Sequence, residues 1–295
     1  MPLIDFGDGL VIDVPQGMSV LDASIQHGLQ HMHACGGQAR CTTCRVEVLA
    51  GQENCPPRAE AEAQVLKISR FGEDVRLACQ LVPHGDVTVR RLLAQKGAEL
   101  RPEGLARERE VAILFSDIRG FTNFAQQRLA FDVLHLLNRY FDRMGTVVEL
   151  NHGQVIAFLG DGMACLFEDL DRRHAAEHAV NCALQMLATA EAFDAFSQEQ
   201  FEFPLRIGIG IAWGHAVIGQ VGYYNKSSLN VIGDVVNTAS RVQDAVKETG
   251  TRFLVTDDVK TLLDDSFAFG GQFGVELKGK DGVHQLHEVL GKASP

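Results

Sequence analysis

Four cysteines in the first third of this 295-residue chain constrain its fold more than any other feature. Cys35, Cys41 and Cys44 follow the spacing C-x5-C-x2-C, and Cys79 comes after a further 34 residues. In a reducing compartment, clustered thiols bind metal more often than they form disulfides. Four thiolates suit iron or zinc, but a structural zinc site usually shows two C-x2-C pairs. The glycine pair after Cys35 allows the unusual backbone dihedrals that a loop around a cluster needs.

The segment 35–44 reads Cys-Gly-Gly-Gln-Ala-Arg-Cys-Thr-Thr-Cys and resembles the cluster loop of 2Fe-2S ferredoxins. Its first gap is one residue longer than the plant-type C-x4-C-x2-C and is similar to the adrenodoxin spacing. The resemblance covers residues 1 to about 91 and implies a β-grasp fold. It also implies a 2Fe-2S cluster on the four cysteines.

The other cysteines and the nearby histidines are assigned no ligand role. Cys55, Cys165 and Cys182 fit neither spacing, and we expect them to be buried or half-buried thiols. His31 and His33 lie too close to the first cysteine to chelate the same cluster. We expect both to be solvated loop residues.

Periodicity divides the chain into two parts joined by a charged connector. In the first part, alternation predicts a β-hairpin at 3–14, and Ser19 with Asp22 indicates the start of a helix. From residue 110 strands alternate with long helices. We expect a domain at 1–91, a connector at 92–109 and a second domain at 110–295, in which the predicted strands are 111–115, 155–159, 163–167, 205–212, 217–221, 229–232, 253–255 and 284–289, and the predicted helices are 131–150, 173–196 and 234–247.

Charge and hydropathy exclude two classes of partner. The net charge is −11, whereas nucleic-acid binding requires a basic surface that displaces phosphate counterions. The first residues carry no basic segment of a signal peptide, and no run of about 18 apolar residues occurs. We therefore expect a cytoplasmic protein with neither a nucleic-acid nor a membrane partner.

Two aspartates occupy positions where strands end. Asp117 follows the apolar strand 111–115, and Asp161 lies in a tight turn between two further strands. Carboxylates that converge at strand ends form an oxygen-rich site suited to Mg2+ or Mn2+. We expect both acids to stay ionised there.

A turn follows the first of these aspartates and precedes a helix. Backbone N–H groups in such a turn, here at Gly120, Phe121 and Thr122, can cradle a triphosphate.

Four segments together resemble the catalytic domain of class III adenylate and guanylate cyclases. The likeness runs from about residue 108 to 290 and implies a ferredoxin-like fold, so that the whole chain is expected to be α+β. It also implies a head-to-tail homodimer with active sites at the subunit interface. The segments are Phe-Ser-Asp-Ile-Arg-Gly-Phe-Thr at 115–122, Gly-Asp-Gly at 160–162, Gly-Asp-Val-Val-Asn-Thr-Ala-Ser-Arg at 233–241 and Leu-Lys-Gly-Lys at 277–280.

The likeness implies a role for each matching residue. The two aspartates would hold two Mg2+ or Mn2+ ions per active site, with the backbone of Ile118 also touching metal. Asn237 would position the ribose, Arg241 would hold the charged phosphate in the transition state, and Lys278 would contact the terminal phosphates. Asn237 and Arg241 are spaced i, i+4 on one helix face and would come from the partner subunit.

The implied reaction converts ATP to 3',5'-cyclic AMP and pyrophosphate by two-metal catalysis. The base-reading positions match neither specificity: the Lys of adenylate cyclases is replaced by Ala157, and its partner position holds Asn230, whose amide both donates and accepts. His215 stands where some relatives have a phosphate-binding Arg. A guanylate cyclase, or a non-catalytic redox or nucleotide sensor, therefore remains an alternative.

A cluster and a cyclase in one chain suggest redox regulation. Our hypothesis is that cluster reduction by a redox partner changes the cysteine loop, and that the connector passes this change to the dimer interface. Such control requires the redox states to favour different dimer arrangements.

Overall fold

The chain divides into the units Met1–Arg107 and Glu108–Pro295, and each unit has its own hydrophobic core residues. The computed structural model describes residues 2–7, 9–93, 106–223 and 226–293. Most of the predicted connector falls on residues 94–105, which lie outside the described residues. Among the described helices, none is long and apolar enough to cross a membrane. Both units combine sheets with helices, so the fold is α+β as predicted.

The first unit is a five-stranded sheet with two helices. The strand order is β2-β1-β5-β3-β4, with β1 and β2 antiparallel and β1 and β5 parallel. The elements are β1 (Leu3–Asp5), β2 (Val11–Asp13), α1 (Val20–Gln26), β3 (Arg45–Ala50), α2 (Glu60–Ile68), β4 (Val75–Leu77) and β5 (Val87–Arg91), with a short 3-10 turn at Gln52–Asn54.

Helix α1 begins at the predicted capping residue. The Ser19 hydroxyl oxygen accepts a hydrogen bond from the Asp22 amide at 3.1 Å, and the hydroxyl donates to the Asp22 carboxylate at 2.7 Å. This cap satisfies an otherwise unpaired amide of the first turn. The helix buries Val20, Leu21 and Ala23 and ends at Gln26.

The second unit is an eight-stranded sheet. Its order is β12-β13-β11-β9-β6-β8-β7, with β10 paired to β9. The elements are β6 (Arg107–Ile118), α3 (Phe121–Gln126), α4 (Ala130–Leu150), β7 (Gln154–Leu159), β8 (Gly162–Phe167), α5 (Arg172–Phe201), β9 (Ile207–Tyr223), β10 (Lys226–Ile232), α6 (Asp234–Glu248), β11 (Phe253–Thr256), α7 (Asp257–Leu262), β12 (Phe267–Glu276) and β13 (Val283–Lys292).

Three sequence expectations for this unit were wrong or incomplete. The separate strands expected at 205–212 and 217–221 form one strand, β9, because the intervening Gly214 continues the extended backbone. Helix α7 and strand β12 were not predicted. Strand β12 contains the pair Gly270-Gly271 and register irregularities, which interrupt its apolar alternation.

Alternate residues of β6 face opposite sides of the sheet. Ala112 and Leu114 lie in the core formed with α4 and α5, whereas Val111 and Ile113 lie in the core formed with α6. Because side chains alternate along a strand, Asp117 is on the α6 side.

The backbone of α6 also approaches the sheet closely. A Cβ on Gly210 of β9 would lie 2.2 Å from the Gln243 nitrogen, so only glycine fits there. This close packing brings α6 up to the end of β6.

Candidate functional sites

The four predicted cysteines lie together as two pairs. The Cys44 and Cys79 sulfurs are 3.6 Å apart, and the Cys41 thiol is hydrogen-bonded to Cys35. Two sulfurs at ~2.3 Å from one tetrahedral ion are ~3.7 Å apart, so the Cys44–Cys79 pair fits one metal ion. Over the described ranges, no group of three or more metal-binding side chains surrounds a single ion-sized position. Two cysteine pairs supply two ligands for each of the two irons of a binuclear iron–sulfur cluster.

The loop backbone turns through conformations that favour glycine. Gly36 and Gly37 have φ of 65° and 84°, and Ala39 also has positive φ. The Thr43 hydroxyl accepts a backbone N–H at 2.8 Å and lies 3.1 Å from the Cys41 sulfur. The loop is therefore held from within by a hydroxyl that also contacts a thiol.

Hydrogen bonding favours the thiolate at two of the four cysteines. The hydrogen bond from the Cys44 thiol lowers the pKa of Cys79 to about 6, against the opposing effect of burial. The same bond, together with burial, raises the pKa of Cys44. Burial opposes ionisation of Cys41, but hydrogen bonds with Thr43 and Cys35 outweigh it and lower the pKa of that thiol. Thiolates are the form that binds metal.

His31 is not the solvated residue that we expected. Its side chain is buried, Nε2 lies 3.1 Å from the Cys44 carbonyl oxygen, and Nδ1 lies 2.8 Å from the Ser24 hydroxyl. Burial lowers the pKa of His31 to about 4, so the ring is neutral at neutral pH. Since a carbonyl only accepts, Nε2 donates to the Cys44 carbonyl. His33 is half-buried.

The remaining cysteines lie away from this loop. As expected, Cys165 and Cys182 are buried and Cys55 is half-buried.

In the second unit, the structure brings the two predicted aspartates into contact. Strands β6 and β8 are antiparallel neighbours, and the Asp117 and Asp161 carboxyl groups are hydrogen-bonded. The Ile118 amide also donates to Asp161. A Cβ on Gly162 would lie 2.9 Å from the Ser116 carbonyl oxygen, so glycine is required for this approach. Two adjoining carboxylates suit Mg2+ or Mn2+.

The proximity of these carboxylates changes their titration. Burial and the neighbouring Asp117 raise the pKa of Asp161 to about 7. The expectation that both acids are ionised concerns the metal-bound site and stays a prediction. Two like charges this close are separated by a proton or by a cation.

Two cations beside these acids were missed by sequence reasoning. Lys247 Nζ lies 3.3 Å from the Asp117 carboxylate. The Arg119 guanidinium donates to the Val246 carbonyl at 3.2 Å and to the Thr251 carbonyl, at the end of α6. Arg119 lies within a motif segment and could have been singled out, whereas Lys247 is 130 residues from its partner and has no local signal.

The predicted phosphate-binding turn leads directly into α3. Gly120 has φ of 73° and caps the helix. The Phe121 side chain packs into the core, so this residue offers only its backbone to a ligand, while Thr122 is exposed.

Asn237 and Arg241 do not meet the aspartates within one chain. Asn237 is exposed on α6, and Arg241 forms an ion pair with Asp244 at 3.2 Å. At ~1.5 Å per residue, Asn237 lies roughly 15 Å along the helix axis from Lys247, the α6 residue that contacts Asp117. Their roles at a shared site remain a prediction that depends on a second subunit.

Lys278 is exposed after the end of β12. The neighbouring Lys280 forms an ion pair with Asp234, the first residue of α6. This pair attaches the 277–280 segment to the start of the helix that carries Asn237.

The predicted base-reading positions lie on β7 and β10, which contact each other. Ala157 is in β7, and the Asn230 side chain in β10 accepts from the Val231 amide at 2.8 Å. His215 is exposed, 3.6 Å from the Glu110 carboxylate, rather than beside the aspartates.

An apolar groove adjoins the turn that carries Asp161. Phe158 on β7 and Leu134 on α4 line it and are more than half exposed, and Phe131 in the first turn of α4 is 85% exposed. Phe158 and Leu134 thus present exposed apolar surface beside the Asp161 turn.

Comparisons with known proteins agree with the two-unit organisation. Residues 105–288 match the family described as Adenylate and Guanylate cyclase catalytic domain, and residues 3–84 match the 2Fe-2S iron-sulfur cluster binding domain. An adenylate cyclase of Anabaena cylindrica is 31% identical over 71% of this chain and 42% of its own length. Adenylate cyclase 1 of Rhizobium meliloti is 33% identical over 79% of this chain and 35% of its own. The chain thus spans less than half the length of these curated relatives.

Solved structures resemble the second unit. The guanylyl cyclase Cya2 has 27% identity and a TM-score of 0.59, and the match covers 64% of this chain and 96% of that one. The adenylyl cyclase CyaB from P. aeruginosa, at 24% identity, has a TM-score of 0.57 over 63% of this chain and 95% of its own, and supports the fold alone.

Proposed function

Because this chain belongs to the adenylate and guanylate cyclase catalytic-domain family, we propose that it converts a nucleoside triphosphate, preferably ATP, to a 3',5'-cyclic nucleotide and pyrophosphate. The observation that carries this proposal is the contact between Asp117 and Asp161 at the ends of paired strands. ATP is favoured because the two curated relatives compared above are named adenylate cyclases.

The reaction is an in-line displacement at the α-phosphorus. The bond from O3' to phosphorus forms, the bond from phosphorus to the bridging oxygen breaks, and pyrophosphate leaves with that oxygen. The 3'-hydroxyl proton passes to solvent. When bound to Asp117, Asp161 and the Ile118 backbone, two Mg2+ or Mn2+ ions would supply Lewis-acid activation of the hydroxyl and charge neutralisation on the phosphates.

The chain's own residues bind and orient the nucleotide. The two carboxylates lie next to the paired segments of β6 and β8, which brings them together within one subunit. Asn237 orients the ribose, Arg241 meets the charge that develops on the transferred phosphoryl group, and Lys278 holds the terminal phosphates. Such preorganised donors stabilise the transition state more than the ground state.

The active enzyme is proposed to be a homodimer with active sites at the subunit interface. Asn237 is exposed and far along α6 from the metal carboxylates of its own subunit. The apolar groove lined by Leu134 and Phe158, beside the Asp161 turn, supplies surface for a second copy. One interface would therefore both bury the groove and complete the site.

The N-terminal unit is proposed to hold a 2Fe-2S cluster that regulates the cyclase. The cluster supplies one-electron redox chemistry when bound. The Cys44–Cys79 sulfur separation and the Cys35–Cys41 hydrogen bond support two ligand pairs.

A guanylate cyclase is the second candidate, because Asn230 is able to donate to a guanine carbonyl as well as accept from an adenine amino group. The test is to incubate the full chain with ATP or GTP and Mn2+, with and without dithionite, and to quantify cyclic product by chromatography. We expect cyclic AMP to exceed cyclic GMP and the rate to change on reduction.

Asp117→Asn should abolish product, whereas Asp265→Asn, which alters an exposed acid outside the motif segments, should not. Absence of either cyclic product under both redox conditions would indicate a non-catalytic sensor.

A further inference from the structure

We propose that Lys247 is a positioning residue that occupies Asp117 in the metal-free chain and competes with divalent ions for that carboxylate. Its ammonium nitrogen lies 3.3 Å from the Asp117 carboxylate. The inference rests on the proposed function, because it assigns metal binding to Asp117. It adds a residue that lies outside the motif segments.

Geometry holds Lys247 at this position. Arg119 donates to the carbonyls of Val246 and Thr251 and thereby attaches the end of α6 to the loop that follows Asp117. Within the described residues, Asp117 is the one acid with which Lys247 forms an ion pair. The Lys247 side chain is 53% exposed, so its ammonium can leave the Asp117 carboxylate when a metal ion replaces it, while α6 keeps the residue close to the site.

Charge gives the direction of the effect. A divalent ion that binds the two aspartates must displace the Lys247 ammonium from Asp117. The displaced ammonium then remains close to the divalent ion and repels it. Coulomb's law in water gives about a tenfold loss of metal affinity for a unit charge that stays roughly 6 Å from a divalent ion. Salt screens this repulsion, so the effect should shrink as ionic strength rises.

A purely structural role predicts something different. If Lys247 only attached α6 to β6, its removal would lower the melting temperature and leave metal affinity unchanged or weaker. Metal affinity itself is therefore the deciding measurement.

The experiment titrates the metal-stripped full chain with Mn2+ and follows free Mn2+ by electron paramagnetic resonance, without nucleotide. Lys247→Gln and Lys247→Met should each bind Mn2+ about tenfold more tightly than the wild type. Lys247→Arg keeps the charge and should retain wild-type affinity. Lys67→Gln, an exposed lysine of the first unit, controls for net charge and should change nothing.

The outcomes separate this inference from the proposed function. In one outcome, the wild type binds Mn2+, Asp117→Asn does not, and both neutral Lys247 variants bind no more tightly than the wild type. This outcome overturns the role of Lys247 but leaves the metal site in place. In another outcome, the wild type and Asp117→Asn bind Mn2+ equally and the neutral variants have no higher affinity. This outcome overturns both the metal site and this inference. The proposal is supported if both neutral variants bind Mn2+ more tightly than the wild type and this difference in affinity disappears at high salt.

Discussion

Removing the Glu62 carboxylate should destabilise the N-terminal unit more than any single exposed change. Glu62 on α2 is fully buried, and its carboxylate accepts from Arg76 Nε and Nη2, both at 2.9 Å, and from the Leu77 amide at 2.7 Å. Arg76 also donates to the Pro56 carbonyl at 3.0 Å. These bonds join α2 to β4, the strand that leads to Cys79.

The expected loss of stability follows from the buried groups that Glu62→Ala leaves without a partner. The guanidinium of Arg76 would remain buried without its counter-ion, which costs about 3–5 kcal/mol. The Leu77 amide would lose its acceptor, which costs about 1–3 kcal/mol if water does not reach it. Taking about 4 kcal/mol as the net loss, a unit of this size should melt roughly 20 °C lower.

Thermal unfolding of the full chain is the assay, followed by circular dichroism and by the visible absorption of the cluster. Glu60→Ala, on the exposed side of the same helix, is the matched control and should shift the melting temperature little. Replacing Glu62 and Arg76 together by methionine should recover most of the loss, because no unpaired charge remains. A loss below about 1 kcal/mol for Glu62→Ala would refute the assignment of an uncompensated buried charge.

Two further predictions concern the paired aspartates. Gly162→Ala places a Cβ 2.9 Å from the Ser116 carbonyl oxygen and should weaken Mn2+ binding by separating β6 from β8; unchanged affinity in a Mn2+ titration would contradict this. The pKa of Asp161 is raised in the folded chain to about 7, so the folded state holds more protons than the unfolded state between about pH 4 and 7, and stability falls as pH rises through that range. After allowance for partial exposure, Asp161→Asn should therefore raise the free energy of unfolding by about 2 kcal/mol at pH 8 in the presence of a chelator. At pH 4 the substitution should have no effect. Thermal unfolding at both pH values measures the difference.

Short sequence patterns predicted the helices and strands that are stabilised by residues close to one another in the sequence. The Ser19 cap and the apolar face of α1 are encoded within a few residues, and the structure has both. The hairpin of β1 and β2 and the long helices α4, α5 and α6 were predicted for the same reason. Strand β12 was missed because its alternation is broken by register irregularities, which are stabilised by pairing with β13.

Site residues were predictable only where a motif carries them. The aspartates and cysteines lie in segments of fixed spacing, but His31 was assigned to solvent because nothing near it in sequence shows that Ser24 and the Cys44 carbonyl surround it. Lys247 was missed because its contact with Asp117 depends on how α6 packs against β9. Tertiary packing, which a single sequence does not display, decides both cases.

Helix α6 contains both residues that a sequence motif identifies and contacts that only the structure shows. Its motif residues Asn237 and Arg241 were recognisable in sequence, whereas the attachment of its C-terminal end to the metal loop through Arg119 and Lys247 required the structure. The helical rise places Asn237 roughly 15 Å along the axis from Lys247. In the proposed dimer one helix therefore serves two sites, with its C-terminal end at its own carboxylates and its exposed residues offered to the partner. A change at either end would act on the same helix, so α6 would connect the two active sites of the proposed dimer.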